Sequence, residues 1–258
     1  MVSGLLSSCI MEERDGCPSY LSIDFSGTPE EVKSIILMLR YEDGFCIMDT
    51  VLMEDYANLY EIPVRRGTPF VSAFGNVDKM VFDDGFSIIR GEESDKIYTD
   101  FRKGCYNGDL SHDTIKLGKS YIGLYIRVMN PAEASCSVEI TTECSSIGYS
   151  YSGEIIEGIF SHTPEPHHIP TAEEGYYEFL SRIVRQKNGD AVLRIKSVQN
   201  GAEEEILEIP LSEKLKAAGM DMGSKDLQDI FITINYSRSS MKISVDDWER
   251  TEHIEIEI

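Results

Sequence analysis

The 258-residue sequence predicts an all-β protein built from two tandem β-sandwiches. Three observations lead to this fold class. Segments in which apolar and polar residues alternate recur along the chain, and this alternation has the period of a half-buried strand. Turn pairs such as Asp43-Gly44 and Asn200-Gly201 separate several of these segments. Strand-rich stretches of about 120 residues lie on either side of Asn130-Pro131, and each has the length of one sandwich.

The first half contains six segments with strand character. The opening segment, YLSIDF, alternates with period two, and a Gly-Thr-Pro turn follows it. The run KSIILMLRY is β-branched and aliphatic, and Asp43-Gly44 turns the chain back into the next segment as a hairpin. The strands predicted in this half cover residues 20–25, 33–41, 45–52, 59–64, 69–77 and 119–129.

Residues 78–118 have the least regular pattern, because they are rich in Asp, Gly and Ser. A short helix is predicted within residues 91–101 of this stretch. After the strong strand at 119–129, Asn130-Pro131 interrupts the pattern, and the domain boundary is placed there. The N-terminal sandwich then covers residues 18–130 and the C-terminal sandwich covers residues 131–258.

The second half has the same character. Residues 161–175 contain three prolines and no periodicity, which predicts a loop. Ser212 is predicted to cap a short helix over residues 213–218, which Gly219 ends. The last segment, HIEIEI, is predicted to close the second sandwich, and pairing with a partner is the alternative. The strands predicted in this half cover residues 136–142, 145–158, 176–185, 191–198, 205–211, 230–236, 241–248 and 253–258.

Charge excludes one class of partner. The chain has 45 acidic against 24 basic residues, which gives a net charge of −21 at pH 7. An acidic field repels phosphate backbones, and the pair Arg65-Arg66 is too small to be a basic patch. We therefore predict that the protein does not bind nucleic acid. The sequence also has no stretch of about 18 apolar residues that a membrane-spanning helix requires.

The segment Leu6-Ser7-Ser8-Cys9 has the form of a lipobox. In a lipobox, small residues precede a cysteine whose thiol takes a diacylglycerol, and the polar, acidic residues 10–16 suit a tether leaving a bilayer. We therefore predict that Cys9 is a lipid attachment site, with residues 1–17 forming a lipoprotein signal remnant and tether. A secretory signal also has a basic region and an apolar run, so either the translation start lies upstream or the match is accidental.

The other five cysteines do not identify the redox compartment. They form no CxxC pair of the kind that binds zinc, and an odd number allows at most two disulfides within the chain. Buried free thiols are the alternative. These cysteines are Cys17, Cys46, Cys105, Cys136 and Cys144.

Nothing in the sequence predicts catalysis. The chain has no G-x-S-x-G nucleophile motif, no glycine-rich phosphate loop and no EF-hand spacing. Glycoside hydrolysis uses paired carboxyls, but acidic pairs such as Asp83-Asp84 and Glu92-Glu93 are expected by chance in so acidic a chain. We predict a protein that is not an enzyme and has no cofactor and no metal.

Two features nevertheless have a functional alternative. His162, Glu165, His167 and His168 are candidate zinc ligands, but the prolines among them spread the segment, so an exposed loop is preferred. Trp248 is predicted to pack over the end of the sandwich core, and a platform for stacking a sugar is the alternative.

Taken together, an ordered set of segments resembles a known family. The lipobox cysteine, its polar spacer and the run Arg14-Asp15-Gly16-Cys17-Pro18 before the first strand are similar to the fimbrial anchor lipoproteins of Bacteroidales (FimB-like). Residues 179–182, the strand at 192–195, Ile209-Pro210-Leu211 before a short helix, and the ending Ile243-Ser-Val-Asp-Asp-Trp248 also resemble that family. The set covers nearly the whole chain, and the order of the segments carries the resemblance.

The resemblance implies two tandem transthyretin-like, Greek-key β-sandwich domains. It also implies an anchor subunit that holds the base of a cell-surface fimbria at the outer membrane through lipid on Cys9 and limits growth of the fibre. The expected partner is a fimbrial stalk subunit, joined by strand complementation. The alternative function is a surface lipoprotein that binds glycan or a host protein.

Overall fold

The computed structural model describes residues 19–56, 59–129, 136–169, 176–187, 190–199, 202–217, 221–224, 227–235, 240–246 and 251–257. Within these ranges the chain is nearly all strand, with a single helix, α1 (Leu211–Ala217). The strands in the first part are β1 (Ser19–Asp24), β2 (Ser34–Arg40), β3 (Cys46–Leu52), β4 (Tyr60–Val64), β5 (Phe70–Gly75), β6 (Val81–Phe82), β7 (Gly85–Ser87), β8 (Tyr98–Lys103), β9 (Leu110–Thr114) and β10 (Gly118–Lys119). Those in the second part are β11 (Tyr121–Met129), β12 (Cys136–Ser150), β13 (Ile155–His162), β14 (His167–Ile169), β15 (Tyr176–Val184), β16 (Val192–Gln199), β17 (Ala202–Ile209), β18 (Asp229–Asn235), β19 (Ser240–Asp246) and β20 (Thr251–Glu257).

The first sheet pair consists of a three-stranded and a five-stranded sheet. In the smaller sheet β1 is central, antiparallel to β4 and parallel to β9. The larger sheet has the order β10-β8-β5-β2-β3, and all of its strands are antiparallel. Successive side chains of a strand point to opposite faces, so the alternating apolar positions of β1 and β2 bury Leu21, Ile23, Leu37 and Leu39 in one core.

The second sheet pair has two larger sheets. In one of them, with the order β14-β15-β11-β18-β19-β20, strand β11 lies antiparallel to β15 and parallel to β18. The other has the order β17-β16-β12-β7-β6, and β13 pairs with β12 beside it. Along β11 the side chains of Ile122, Leu124 and Ile126 are buried, whereas those of Tyr125 and Arg127 point outward. The core therefore lies mainly on the face of β11 that carries Ile122, Leu124 and Ile126.

A hairpin from the first half of the chain joins the two sheet pairs. Strands β6 and β7 pair with each other, and β7 extends the sheet of β12 through the register Tyr149↔Phe86 and Ser150↔Gly85. Arg40 of β2 forms an ion pair with Asp84 of this hairpin at 2.8 Å. The guanidinium of Arg40 also lies 4.0 Å from the ring centre of Tyr151, at the end of β12.

These observations confirm the all-β sandwich class and most of the predicted strands, including the closing strand that β20 forms beside β19. The number of tandem domains stays a prediction. The boundary at Asn130-Pro131 and the side chain of Trp248 fall outside the described residues.

Three local predictions were wrong. Residues 91–101 form an irregular segment followed by β8, because tertiary hydrogen bonds to Ser94 and Asp95 hold them there. The loop predicted at 161–175 includes the end of β13 and all of β14, whose residues are paired with β15. Ser212 lies inside the helix, where its hydroxyl accepts the Ala191 N–H at 2.7 Å, so it is not the cap.

Candidate functional site

A groove with a cavity volume of about 720 Å³ runs along the outward face of β11, β15 and β18, and we call it the outer groove. Tyr125 of β11 and Phe231 of β18 lie in its floor as register partners on neighbouring parallel strands. Their rings stack with centroids 4.8 Å apart and planes 10° apart. Leu180 of β15 extends this apolar floor on the other side of Tyr125, because the two residues are paired across the ladder.

Charged side chains surround the apolar floor. Arg127 forms an ion pair with Glu178 across the β11–β15 ladder at 2.8 Å, and its guanidinium lies 4.3 Å from the ring centre of Tyr176. Both charged groups are nearly half exposed, so the ion pair orients the guanidinium and adds little stability. The groove therefore presents aromatic edges and oriented hydrogen-bonding groups together, a combination found in ligand-binding pockets.

One end of the groove is formed by the loop that contains Glu92 and Glu93. Arg182 of β15 forms an ion pair with Glu93 and donates from Nε to the Ser94 carbonyl at 3.0 Å. The Ser94 N–H in turn donates to the Arg182 carbonyl at 2.9 Å. These bonds hold a loop from the first half of the chain against the second sheet pair.

The histidine cluster lies beside the same loop and along the groove. His162, Glu165 and His167 all line it, whereas the ring of His168 packs against Tyr177 with centroids 5.0 Å apart. Half-buried His162 shares a hydrogen bond with Ser181 Oγ at 3.0 Å. Burial lowers the pKa of His162, and the nearby carboxylates of Glu93 and Glu92 only partly oppose this effect.

This arrangement does not make a metal site. Within the described ranges, no three His, Cys, Asp or Glu side chains converge closely enough to hold a metal ion. The acidic pairs named above also have structural roles, because Asp84 forms an ion pair with Arg40 and Glu93 forms one with Arg182.

Sequence reasoning found the histidines of the groove but missed Tyr125, Arg127 and Phe231. Residues 125 and 231 are far apart in the chain, and only the parallel pairing of β11 with β18 brings them together. The one signal in the sequence was that Tyr125 and Arg127 occupy alternate positions in the otherwise apolar segment that forms β11.

The cysteines divide into described and undescribed groups. Cys46 and Cys105 are exposed free thiols, and Cys144 is a buried free thiol. Cys9 and Cys17, as well as the side chain of Cys136, lie outside the described residues, so lipid attachment at Cys9 stays a prediction. No helix in the described part of the chain is long and apolar enough to cross a membrane.

Comparison by sequence finds no protein family that matches the chain and no curated protein that matches it. Comparison of structures does find relatives. A candidate adhesin from Bacteroides ovatus has a TM-score of 0.64 at 13% identity, over 92% of this chain and 95% of that protein. The fimbrial anchor protein Mfa2 from Porphyromonas gingivalis has a TM-score of 0.62 at 14% identity, over 90% and 98% of the two chains.

The chain has the fold of these proteins. A candidate adhesin from Bacteroides thetaiotaomicron adds a third example, with a TM-score of 0.61 at 17% identity, over 88% of this chain and 96% of that protein. Since the likeness extends over almost the full length of each chain, it includes strands of both sheet pairs. The structural neighbours include the fimbrial anchor type that the sequence resembles.

Proposed function

We propose that the protein is the anchor subunit of a cell-surface fimbria. The observation that carries the proposal is the shared fold with the fimbrial anchor Mfa2 over 90% of this chain and 98% of that one. The role is therefore structural, at the cell surface, with no chemical reaction.

The proposed tether is a lipid on Cys9 that holds the protein in the outer membrane. A single acyl chain binds a membrane only marginally, whereas a diacylglyceryl group with a further acyl chain gives stable attachment. A subunit fixed to the membrane at one end offers only its other end to the fibre. Such a subunit ends the fibre at its base, and in this way limits growth.

The proposed partner is a fimbrial stalk subunit that joins by strand complementation. Exposed strand edges have unpaired N–H and C=O groups, and an added strand from a partner satisfies them. The described sheets end in several edges of this kind, among them β3, β4, β9 and β17. Main-chain pairing supplies affinity, and the side chains that alternate along the added strand supply specificity.

The decisive experiment is performed in the source organism with the wild type, Cys9→Ala and a deletion of the gene. Cells are labelled with a radioactive fatty acid, and fibres are counted on cells and in the medium. We expect lipid on the wild type alone, and shed or abnormally long fibres from both altered strains. If the wild type carries no lipid, or if fibres stay attached and of normal length after the deletion, the anchor proposal is wrong.

The outer groove favours a second function, which is capture of a glycan or a host protein at the cell surface. Its volume lies within the usual range of ligand pockets, and it combines Tyr125 and Phe231 with the oriented Arg127. A glycan array with Phe231→Ala, and with Ile159→Ala as a control for an exposed apolar residue outside the groove, separates the two functions. If glycan binding is abolished by Phe231→Ala and kept by Ile159→Ala, the result supports capture. The genes beside this gene give a second test: glycan-uptake genes support capture, and fimbrillin genes support the anchor.

A further inference from the structure

Strand β3 forms one edge of the five-stranded sheet. All seven of its residues pair with β2, and no described strand lies on its other side. The Tyr41 N–H donates to the Phe45 carbonyl at 2.8 Å, and the Met53 N–H donates to the Lys33 carbonyl at 2.9 Å. These two bonds determine which residues of β3 bond to β2. In an antiparallel pair, residues alternately bond to the partner strand and face away from it. The backbone groups that face away from β2 therefore belong to Cys46, Met48, Thr50 and Leu52.

Most of these outward groups have no hydrogen-bond partner among the described residues. The Thr50 N–H donates to Asp49 Oδ1 at 2.8 Å, and the Leu52 carbonyl accepts the Asp55 N–H at 3.1 Å. The N–H and C=O groups of Cys46 and Met48, the C=O of Thr50 and the N–H of Leu52 remain. A row of alternating donors and acceptors is the template on which another strand pairs.

Apolar side chains accumulate beside this row. Of the eleven large apolar side chains that are exposed in the described part of the chain, three lie in or next to β3: Phe45, Met48 and Leu52. Such a concentration on one side of a sheet pair marks an interaction surface better than scattered apolar residues do.

Several of the other edges have features that discourage strand addition. Strand β4 contains Pro63, which has no N–H, and β17 contains three consecutive glutamates. Strand β13 is interrupted by two register shifts opposite β12, and β6, β10 and β14 have only two or three residues. β3 is regular over its full length, without proline and with a single charged residue, Asp49.

Charge at the two ends of β3 limits what can bind. Exposed Glu42 and Asp43 precede the strand, and exposed Glu54 and Asp55 follow it. Asp43 is neutralised by Arg65, and the other three carboxylates form no ion pair with any described residue. A strand that carries basic residues at its ends is therefore favoured over an acidic one.

We propose that the β3 edge is where a strand donated by a neighbouring fimbrial subunit binds, with apolar side chains in its centre and Lys or Arg at its ends. This inference rests on the proposed fimbrial function for the source of the strand, and the pairing chemistry itself does not depend on that function.

The direct test uses the purified full-length chain and an acetylated, amidated heptapeptide of alternating Val and Thr with Lys at both ends. Binding is followed by NMR, with amide exchange at Cys46 and Met48 as the specific readout. Met48→Pro removes an outward N–H while β2 pairing is kept, so we expect it to weaken binding about tenfold or more. Met48→Thr keeps that N–H and loses only apolar contact, so a weakening of about threefold is expected.

Matched controls make the result specific. Met48→Lys is a second variant, in which a charged side chain opposes strand addition without a change in the backbone. Equal melting temperatures of the wild type and the variants show that the variants are folded. A peptide with Glu in place of both Lys is expected to bind more weakly. No binding of the Lys peptide at about 1 mM, or equal binding by the wild type and Met48→Pro, would overturn the proposal.

A cell experiment distinguishes failure of this inference from failure of the proposed function. If deletion of the gene sheds fibres but a Met48→Lys strain retains them, the anchor role stands and the β3 edge is not the fibre site. If deletion leaves fibres attached, the anchor role fails, while the peptide result still decides whether β3 accepts a strand.

Discussion

Phe74 of β5 packs edge-on against Phe86 of β7, with ring centroids 4.8 Å apart and planes inclined by 63°. Phe74 belongs to the five-stranded sheet of the first pair, and Phe86 belongs to the hairpin that extends the sheet of β12. Both rings are almost completely buried. The contact therefore lies where the two sheet pairs meet.

Phe86→Ala is expected to destabilise the protein strongly. Removal of a buried phenyl ring leaves a cavity and costs about 3–5 kcal/mol of unfolding free energy. Phe45→Ala is the matched control, because Phe45 is 46% exposed and its removal costs about 1 kcal/mol or less. Guanidinium denaturation followed by circular dichroism measures both. Equal stability of the two variants would show that the interface contributes little.

Gly148→Ala is expected to disrupt the pairing of β7 with β12. A Cβ atom at residue 148 would lie 1.9 Å from the Phe86 carbonyl oxygen and 2.8 Å from the Ser87 Cα, and both are backbone atoms. The ladder must open to accommodate it, so a loss of about 3 kcal/mol or more is expected.

Gly27→Ala is the matched control for that prediction, since nothing lies within 4 Å of its added Cβ. Melting temperatures of the two alanine variants test the difference. Amide exchange at Phe86 and Ile88, whose N–H groups face β12, then locates it. Unchanged exchange protection at these residues in Gly148→Ala would contradict the expectation.

The sequence is sufficient to predict the long strands and insufficient to predict how they are joined. Strands β1, β2 and β11 are predicted well, because the alternation of β1 and the apolar runs of β2 and β11 reflect the burial of their side chains. The hairpin β6–β7 has five paired residues, too few for a periodic pattern, and it exists because β12 lies beside it.

The candidate site shows the same division. The sequence indicates the histidine cluster because His162, Glu165 and His167 are close together in the chain. They line the same groove as Tyr125 and Phe231, and the pairing of those two residues depends on the crossover that places β18 beside β11, which no local pattern records. Likewise, the Met48 backbone N–H and C=O are known to face away from β2 only because of two hydrogen bonds at the ends of β3. A sequence does not contain this information.

The three described thiols are expected to differ in reactivity. Cys46 and Cys105 are exposed, whereas burial raises the pKa of Cys144, and the charge of Asp190 acts in the same direction. Since the thiolate is the reactive form, Cys144 is both inaccessible and protonated. In a variant with Cys9, Cys17 and Cys136 replaced by Ser, a maleimide is expected to modify two thiols rapidly. Modification of the third thiol should require denaturant, and three equally fast reactions would contradict this.

Tyr149 is expected to make stability depend on pH in the alkaline range. It is 1% exposed, its hydroxyl donates to the Ser120 carbonyl at 2.7 Å, and it accepts the Arg185 N–H at 3.0 Å. Tyr149→Phe leaves both backbone groups without this partner, so a loss of about 1–3 kcal/mol is expected at neutral pH.

Burial raises the pKa of Tyr149 to about 12 from its ordinary value of 10, although the hydrogen bond and charge of Arg185 oppose the shift. The unfolded chain therefore loses this proton first. The stabilisation by Tyr149 is fully present below pH 10 and is lost as pH rises towards 12. The difference in unfolding free energy between the wild type and Tyr149→Phe should be constant from pH 7 to about 9.5 and then shrink. Urea denaturation at a series of pH values measures it, and a difference that stays constant up to pH 12 would show that the phenol ionises equally in both states.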